Sequence, residues 1–256
     1  MFRFKPLYLA SFILAITAPL LPANAAQTTK DVITAAIADP ARPDSDREQD
    51  AARKSQQVLE FSGIKPGDRV ADFIPGKGYV TRLFSKIVGD DGYVYAIVPA
   101  ELPDRMAVAV EKIADDPDYG NVTVLRDPVN NFKVPEKLDL IWTSMNYHDL
   151  HDAFMGPADL TRVNKSIFNA LKPGGIYLVL DHAAASGSGL RDTDTLHRID
   201  PETVKKEVEA AGFKLETESD ILKNPADDHT KKVFNPDIRG KTDKFIFKFR
   251  KPMAAK

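Results

Sequence analysis

Hydrophobic positions along the chain follow two rhythms. Short apolar runs at Arg69–Phe73, Tyr93–Val98, "NVTVLR", "LDLIWTS" and "IYLVLD" have the length and β-branched content of buried strands. Between them apolar residues recur at helical spacing: Val80, Leu83, Phe84 and Ile87 in 79–88, Met106, Val110 and Ile113 in 104–115, and Leu160, Val163, Ile167 and Leu171 in 157–171. Upstream, Ser45 and Glu48 have capping-box spacing and open a helix that turns Ala51, Val58 and Leu59 inward and stops at Gly63. Downstream, Asp200 and Pro201 start a helix that Gly212 ends, and "FKLETES" and "KFIFKFR" read as two late strands around a polar insertion at about 222–242. Strands alternating with helices at this spacing predict an α/β domain over residues 45–256, with a doubly wound, mainly parallel sheet. Residues 26–44, with "ADPARPDSD", are expected to be a flexible lead-in.

The N-terminal residues follow neither rhythm. A basic start, "MFRFK", an apolar run and the small-x-small series Ala23-Asn24-Ala25 predict a secretory signal peptide over residues 1–25, with no stable membrane anchor after cleavage and a periplasmic or secreted product. The remainder has the composition of an ordinary globule, the whole 256-residue chain being 43% hydrophobic and 28% charged. Losing Arg3 and Lys5 leaves 33 basic against 37 acidic residues, a net charge of −4, which offers no electrostatic footprint for nucleic acid. With no cysteine, disulfides, thiolate catalysis and zinc–thiolate sites are excluded.

The chemistry begins at "VADFIPGKGYVT", residues 70–81, a strand running into two glycines set two apart and then a helix. That placement suits the close approach of a nucleotide-like ligand to backbone. Asp72, Gly76 and Gly78 match an acid followed by alternating glycines, with Ile74 where a leading glycine would stand and Pro75 fixing part of the turn. With the order of elements and the paired late strands, the chain over roughly residues 50–250 resembles the class I S-adenosylmethionine-dependent methyltransferases. Within them it is similar to a group of secreted bacterial proteins described as predicted methyltransferases. The resemblance implies a Rossmann-like methyltransferase sheet with a C-terminal antiparallel hairpin, and S-adenosylmethionine as cofactor. It also implies that Asp72, Gly76 and Gly78 help to hold the methionine end, and that Asp127, just past "VTVL", contacts the adenine. The position that grips the ribose hydroxyls in the family is Val98 here, which cannot accept a hydrogen bond; Glu101, three residues on, is the candidate substitute.

Polar groups gather after the fourth and fifth strands, where ligands bind in open α/β sheets. "MNYHDLHD" and Asp181-His182 provide Tyr147, His148 and His182 to frame a methyl acceptor, with histidine able to take a proton near neutral pH. Asn146 suits a polar substrate, while His151 and His197 read as structural or surface residues. A metal set could be drawn from His148, Asp149, His151 and His182, but no ligand-spacing signature supports it and none is expected. Arg239, in the insertion, could reach an anionic ligand. The expected function is methyl transfer to an oxygen or nitrogen of a small molecule. The alternative is a periplasmic ligand-binding protein that keeps the fold without the reaction, favoured by Val98, by Ile74 and by the cytoplasmic origin of the cofactor. Nothing in the pattern sets an oligomeric state.

Overall fold

The computed structural model describes residues 27–156 and 158–254. The expected signal peptide lies outside the described residues. Among them a seven-stranded sheet runs in the order β3-β2-β1-β4-β5-β7-β6. Its strands are β1 (Arg69–Phe73), β2 (Tyr93–Pro99), β3 (Val122–Asp127), β4 (Leu138–Ser144), β5 (Leu171–His182), β6 (Lys214–Ser219) and β7 (Lys244–Arg250). Strands β1 to β5 pair in parallel, while β7 is antiparallel to both β5 and β6. β1, β2 and β4 are buried almost throughout because helices cover both faces, which explains their continuous apolar runs. The edge strand β6 is mostly exposed and carries Lys214, Glu216 and Glu218, charges that discourage edge-to-edge pairing.

The helices are α1 (Thr29–Ala38), α2 (Asp44–Arg47), α3 (Asp50–Arg53), α4 (Ser55–Ser62), α5 (Tyr79–Val88), α6 (Val108–Ala114), α7 (Leu160–Ala170), α8 (Thr193–Leu196) and α9 (Pro201–Ala210). Helix α5 spans the expected residues and buries Val80, Leu83, Phe84 and Ile87 on the sheet. Helix α9 starts as expected, with Asp200 accepting from the Glu202 N–H and Pro201 in the first turn.

Three expectations need correction. The lead-in is not flexible over 29–38: α1 opens with a capping box between Thr28 and Asp31 and buries Ile33 and Ala36. Ser45 and Glu48 form no such box; α2 follows Pro43 without a side-chain cap. The continuous helix expected up to Gly63 is broken into α2, α3 and α4, the last break falling at Lys54, whose φ is +47°. The break has a tertiary cause. Arg42 grips Asp50 with both terminal nitrogens at 2.8 and 2.9 Å, Tyr79 donates to the same carboxylate, and Lys54 donates to the Ile221 carbonyl at 2.6 Å. A smaller departure is Met106, expected inward, which sits exposed in a 3-10 turn before α6.

Candidate functional site

The parallel strands end together beside the glycine turn, and side chains from the helices before and after them enclose a cavity of about 520 Å³. Val58, Leu59, Val80, Leu83, Trp142, Met145, Leu180 and Leu222 make much of the wall apolar, and Ser144 adds a hydroxyl. Four cations complete the lining: Arg53 of α3, Lys77 between the two glycines, Arg239 from the insertion and Lys244 at the start of β7. No carboxylate lines the cavity, and none of the four cations makes an ion pair among the described residues. Arg53 donates to the Gln49 amide oxygen and lies 4.3 Å over the Tyr79 ring. Lys244 donates to the Thr242 carbonyl at 2.9 Å. Burial, followed by the nearby Arg53 charge, pushes the Lys244 amine down to about 8. Trp142 packs edge-on against Phe84 and its indole N–H is buried without an acceptor.

Of the residues singled out from sequence, Arg239 lines this cavity, while the eight expected to hold the cofactor or frame the acceptor do not. Asp72 is 2% exposed and accepts from the Thr81 hydroxyl at 2.7 Å; burial raises its carboxyl to about 6. It braces the turn from beneath. Gly76, at φ +58°, is exposed, and a Cβ there would meet nothing within 4 Å. Gly78 is a packing glycine: a Cβ would fall 2.2 Å from Ile113 Cδ1 of α6. Both Glu101 carboxylate oxygens accept from the Val129 N–H at 3.0–3.1 Å, and Asp127 accepts from the Lys133 N–H at 2.9 Å. These two acids thus hold the loops that follow β2 and β3.

The acceptor trio is dispersed as well. Tyr147 is fully buried away from the cavity, donating to Glu207 of α9 and accepting from Asn164 of α7, both at 2.9 Å. His151 shares Glu207 with it at 3.2 Å. His148 is buried against Asp181, with Nδ1 at 2.9 and 3.0 Å from the two carboxylate oxygens. Burial works against its charge, but the Asp181 charge and the bonds to Asp149 and Asp181 raise it to about 10. His182 bonds Thr242 at 2.8 Å, and burial, then the Lys244 and His148 charges, hold it well below the ordinary imidazole value. His197 reaches this group too, its Nδ1 lying 3.3 Å from His148 Nε2.

Sequence reasoning missed Arg53, Lys77 and Lys244, since an isolated surface cation carries no signal. It named Asn146 only in passing. That residue donates to the Ile74 carbonyl at 2.7 Å, and its own amide oxygen is buried and unpaired. Backbone strain was equally invisible. Among the described residues, the non-glycine positions with positive φ are Lys54, Ile74, Met145, His197 and His229. Ile74 and Met145 directly follow β1 and β4, where strained residues commonly mark function.

This architecture is the fold of the S-adenosylmethionine-dependent methyltransferases. A solved methyltransferase of that type from Aquifex aeolicus superposes with a TM-score of 0.56 at 20% identity, covering 77% of this chain and 88% of its own. One from Mesorhizobium loti gives 0.56 at 18%, covering 79% and 99%. The [4+2]-cyclase SpnF superposes with a TM-score of 0.59 at 18% identity, covering 80% and 82%. In sequence, the chain is 33% identical over 142 residues to the ubiquinone/menaquinone biosynthesis C-methyltransferase UbiE of Teredinibacter turnerae, covering 55% of this chain and 53% of that protein. The Vibrio campbellii UbiE is 33% identical over 126 residues, covering 48% and 45%. The chain thus spans about half the length of the curated relatives it matches. No protein-family model matches it.

The residues present fit the cofactor of that fold family only in part. The turn fits. Ile74, at φ +60°, holds the conformation a leading glycine would adopt, and the open side of Gly76 leaves backbone available to a ligand. The ribose anchor does not fit: Val98 is 2% exposed and apolar, and Glu101 is turned onto Val129.

Proposed function

We propose that the protein is an S-adenosylmethionine-dependent methyltransferase whose acceptor is a small, largely apolar molecule carrying an anionic group. The observation that carries this reading is the cavity beside the glycine turn, apolar over most of its wall and ringed by four cations without a carboxylate. The UbiE relatives support methyl transfer as the reaction, and their designation as C-methyltransferases makes carbon an acceptor atom to test beside oxygen and nitrogen.

Bound at the turn, the cofactor would supply an electrophilic methyl group. The open backbone at Gly76 would hold it, with Arg53 and Lys77 available for its carboxylate. The chain's own residues handle the acceptor. Arg239 fixes the anionic group, while Trp142, Leu180 and Leu222 exclude water and set the orientation that in-line transfer needs. Lys244, with its amine near 8, is the lining residue suited to remove the acceptor's proton. The signal-like residues 1–25 support export, so the reaction would run outside the cytoplasm.

Calorimetric titration of the protein with S-adenosylmethionine and its demethylated product tests the reading. Saturable binding of both is expected, with affinity lost in Arg53→Ala. Absence of binding by either would leave the second reading, a binding protein for amphipathic anions. Val98 and the clamped Glu101 favour that alternative, and the cyclase SpnF illustrates that the fold hosts other chemistry.

A further inference from the structure

Three potential metal ligands converge where β4 and β5 end. His148 Nε2 lies 3.1 Å from Asp149 Oδ1 and 3.3 Å from His197 Nδ1, and the last two atoms are 3.6 Å apart. Two imidazole nitrogens and one carboxylate oxygen thus form a nearly equilateral triangle. In a tetrahedral zinc site with bonds of about 2.0–2.1 Å, neighbouring ligand atoms stand about 3.3–3.4 Å apart. The observed edges bracket that value.

The surroundings complete the arrangement. His148 Nδ1 faces both oxygens of Asp181, which is itself buried and fixed by the backbone N–H groups of His148 (2.8 Å) and His182 (2.7 Å). A carboxylate on one imidazole nitrogen, with the other turned to the ion, is the usual support of a histidine ligand, and binding releases the Nε2 proton that otherwise faces Asp149. His197 is held at φ +53°, a conformation costly for histidine, and that conformation goes with a ring lying against His148. The triangle also has an open side. The Asp149 and His197 side chains remain about one-fifth exposed, with the exposed ring of Phe234 centred 5.0 Å from that of His197. Three protein ligands and one accessible position describe an exchangeable ion rather than a sealed structural one.

We infer that His148, Asp149 and His197 bind one divalent transition-metal ion, of which zinc best matches two nitrogens, one oxygen and the tetrahedral spacing. The site is separate from the cavity lining and does not depend on the methyl-transfer reading. His182 lies between the two, its ring 6.3 Å from that of His148 and its backbone paired with Lys244 of the cavity wall.

Chelator-treated protein titrated with Zn2+ should take up one ion per chain, and Co2+ should give the intense visible absorption of a four-coordinate complex. His197→Asn removes the imidazole yet suits the left-handed backbone, and Asp149→Asn removes the carboxylate charge. Each should weaken Zn2+ binding at least tenfold while the far-ultraviolet circular dichroism stays unchanged. His151→Gln, which touches Glu207 and not the triangle, should bind as the unaltered protein does. Failure to detect saturable Zn2+ binding, or unchanged affinity in both folded triangle variants, would overturn the inference.

Discussion

At the scale of single residues, the glycine turn separates two needs that look alike in the sequence. Gly76 faces open space and Gly78 faces α6, so their alanine variants should behave differently. Gly76→Ala meets only the backbone preference and should cost about 1 kcal/mol. Gly78→Ala adds a collision with Ile113 and should cost about 2–4 kcal/mol, read as a lower urea midpoint. Asp72 provides a pH test. Its carboxyl rises from 3.8 to about 6 in the fold, so the folded protein holds that proton more tightly than the unfolded chain. The associated stability is present below about pH 3.8 and is lost as the pH rises through about 6. Asp72→Asn can still accept from Thr81, and should stabilise the protein on the order of 2–3 kcal/mol at pH 8 and hardly at all at pH 4. Denaturant titrations of both proteins at the two pH values measure the difference.

At the scale of elements, burial decided what could be read in advance. β1, α5 and β4 have the expected bounds because each carries an uninterrupted apolar signature that the sheet core satisfies. The region before β1 was misread because long-range bonds govern it: Asp50 answers to Arg42 and Tyr79, and Lys54 to Ile221, partners that no local pattern announces. Helix α1 escaped notice because it is a short alanine-rich stretch that fully buries only Ile33 and Ala36 and runs into the proline- and aspartate-rich "ADPARPDSD". Ile33→Ala should therefore destabilise by about 2–4 kcal/mol, as expected of a filled core position. Thr28→Ala should cost about 1 kcal/mol through the lost cap. Thermal unfolding of the two variants checks that α1 belongs to the cooperative domain.

At the scale of the molecule, the candidate site was largely illegible because it is assembled from distant pieces. Arg53, Lys77 and the neighbouring Arg239 and Lys244 come from three separate stretches, and apart from Arg239 each alone reads as an ordinary solvated cation. Likewise His148 and His197 are 49 positions apart. The glycine turn was legible because its ligand-facing backbone is continuous in sequence. If Lys244 accepts the acceptor's proton, turnover should rise with pH through about 8, where its amine loses its charge. Lys244→Met should flatten that profile and lower kcat about 10²-fold or more. The insertion is tied down by a buried pair: Arg198 grips Asp227 with both terminal nitrogens at 2.9 and 3.1 Å and donates to the Ala183 and Lys231 carbonyls. Arg198→Met strands a buried carboxylate, at a cost of about 3–5 kcal/mol. Limited proteolysis should then cut within 222–242 before the sheet.

That insertion joins two antiparallel strands outside the parallel part of the sheet, yet it delivers Leu222, Arg239 and Gly240 to the cavity wall. Ligand preference can therefore diverge among descendants of one ancestral gene by exchange of a single surface segment. Selection could retune the charge and shape met by the ligand while leaving the glycine turn and the load of core packing untouched.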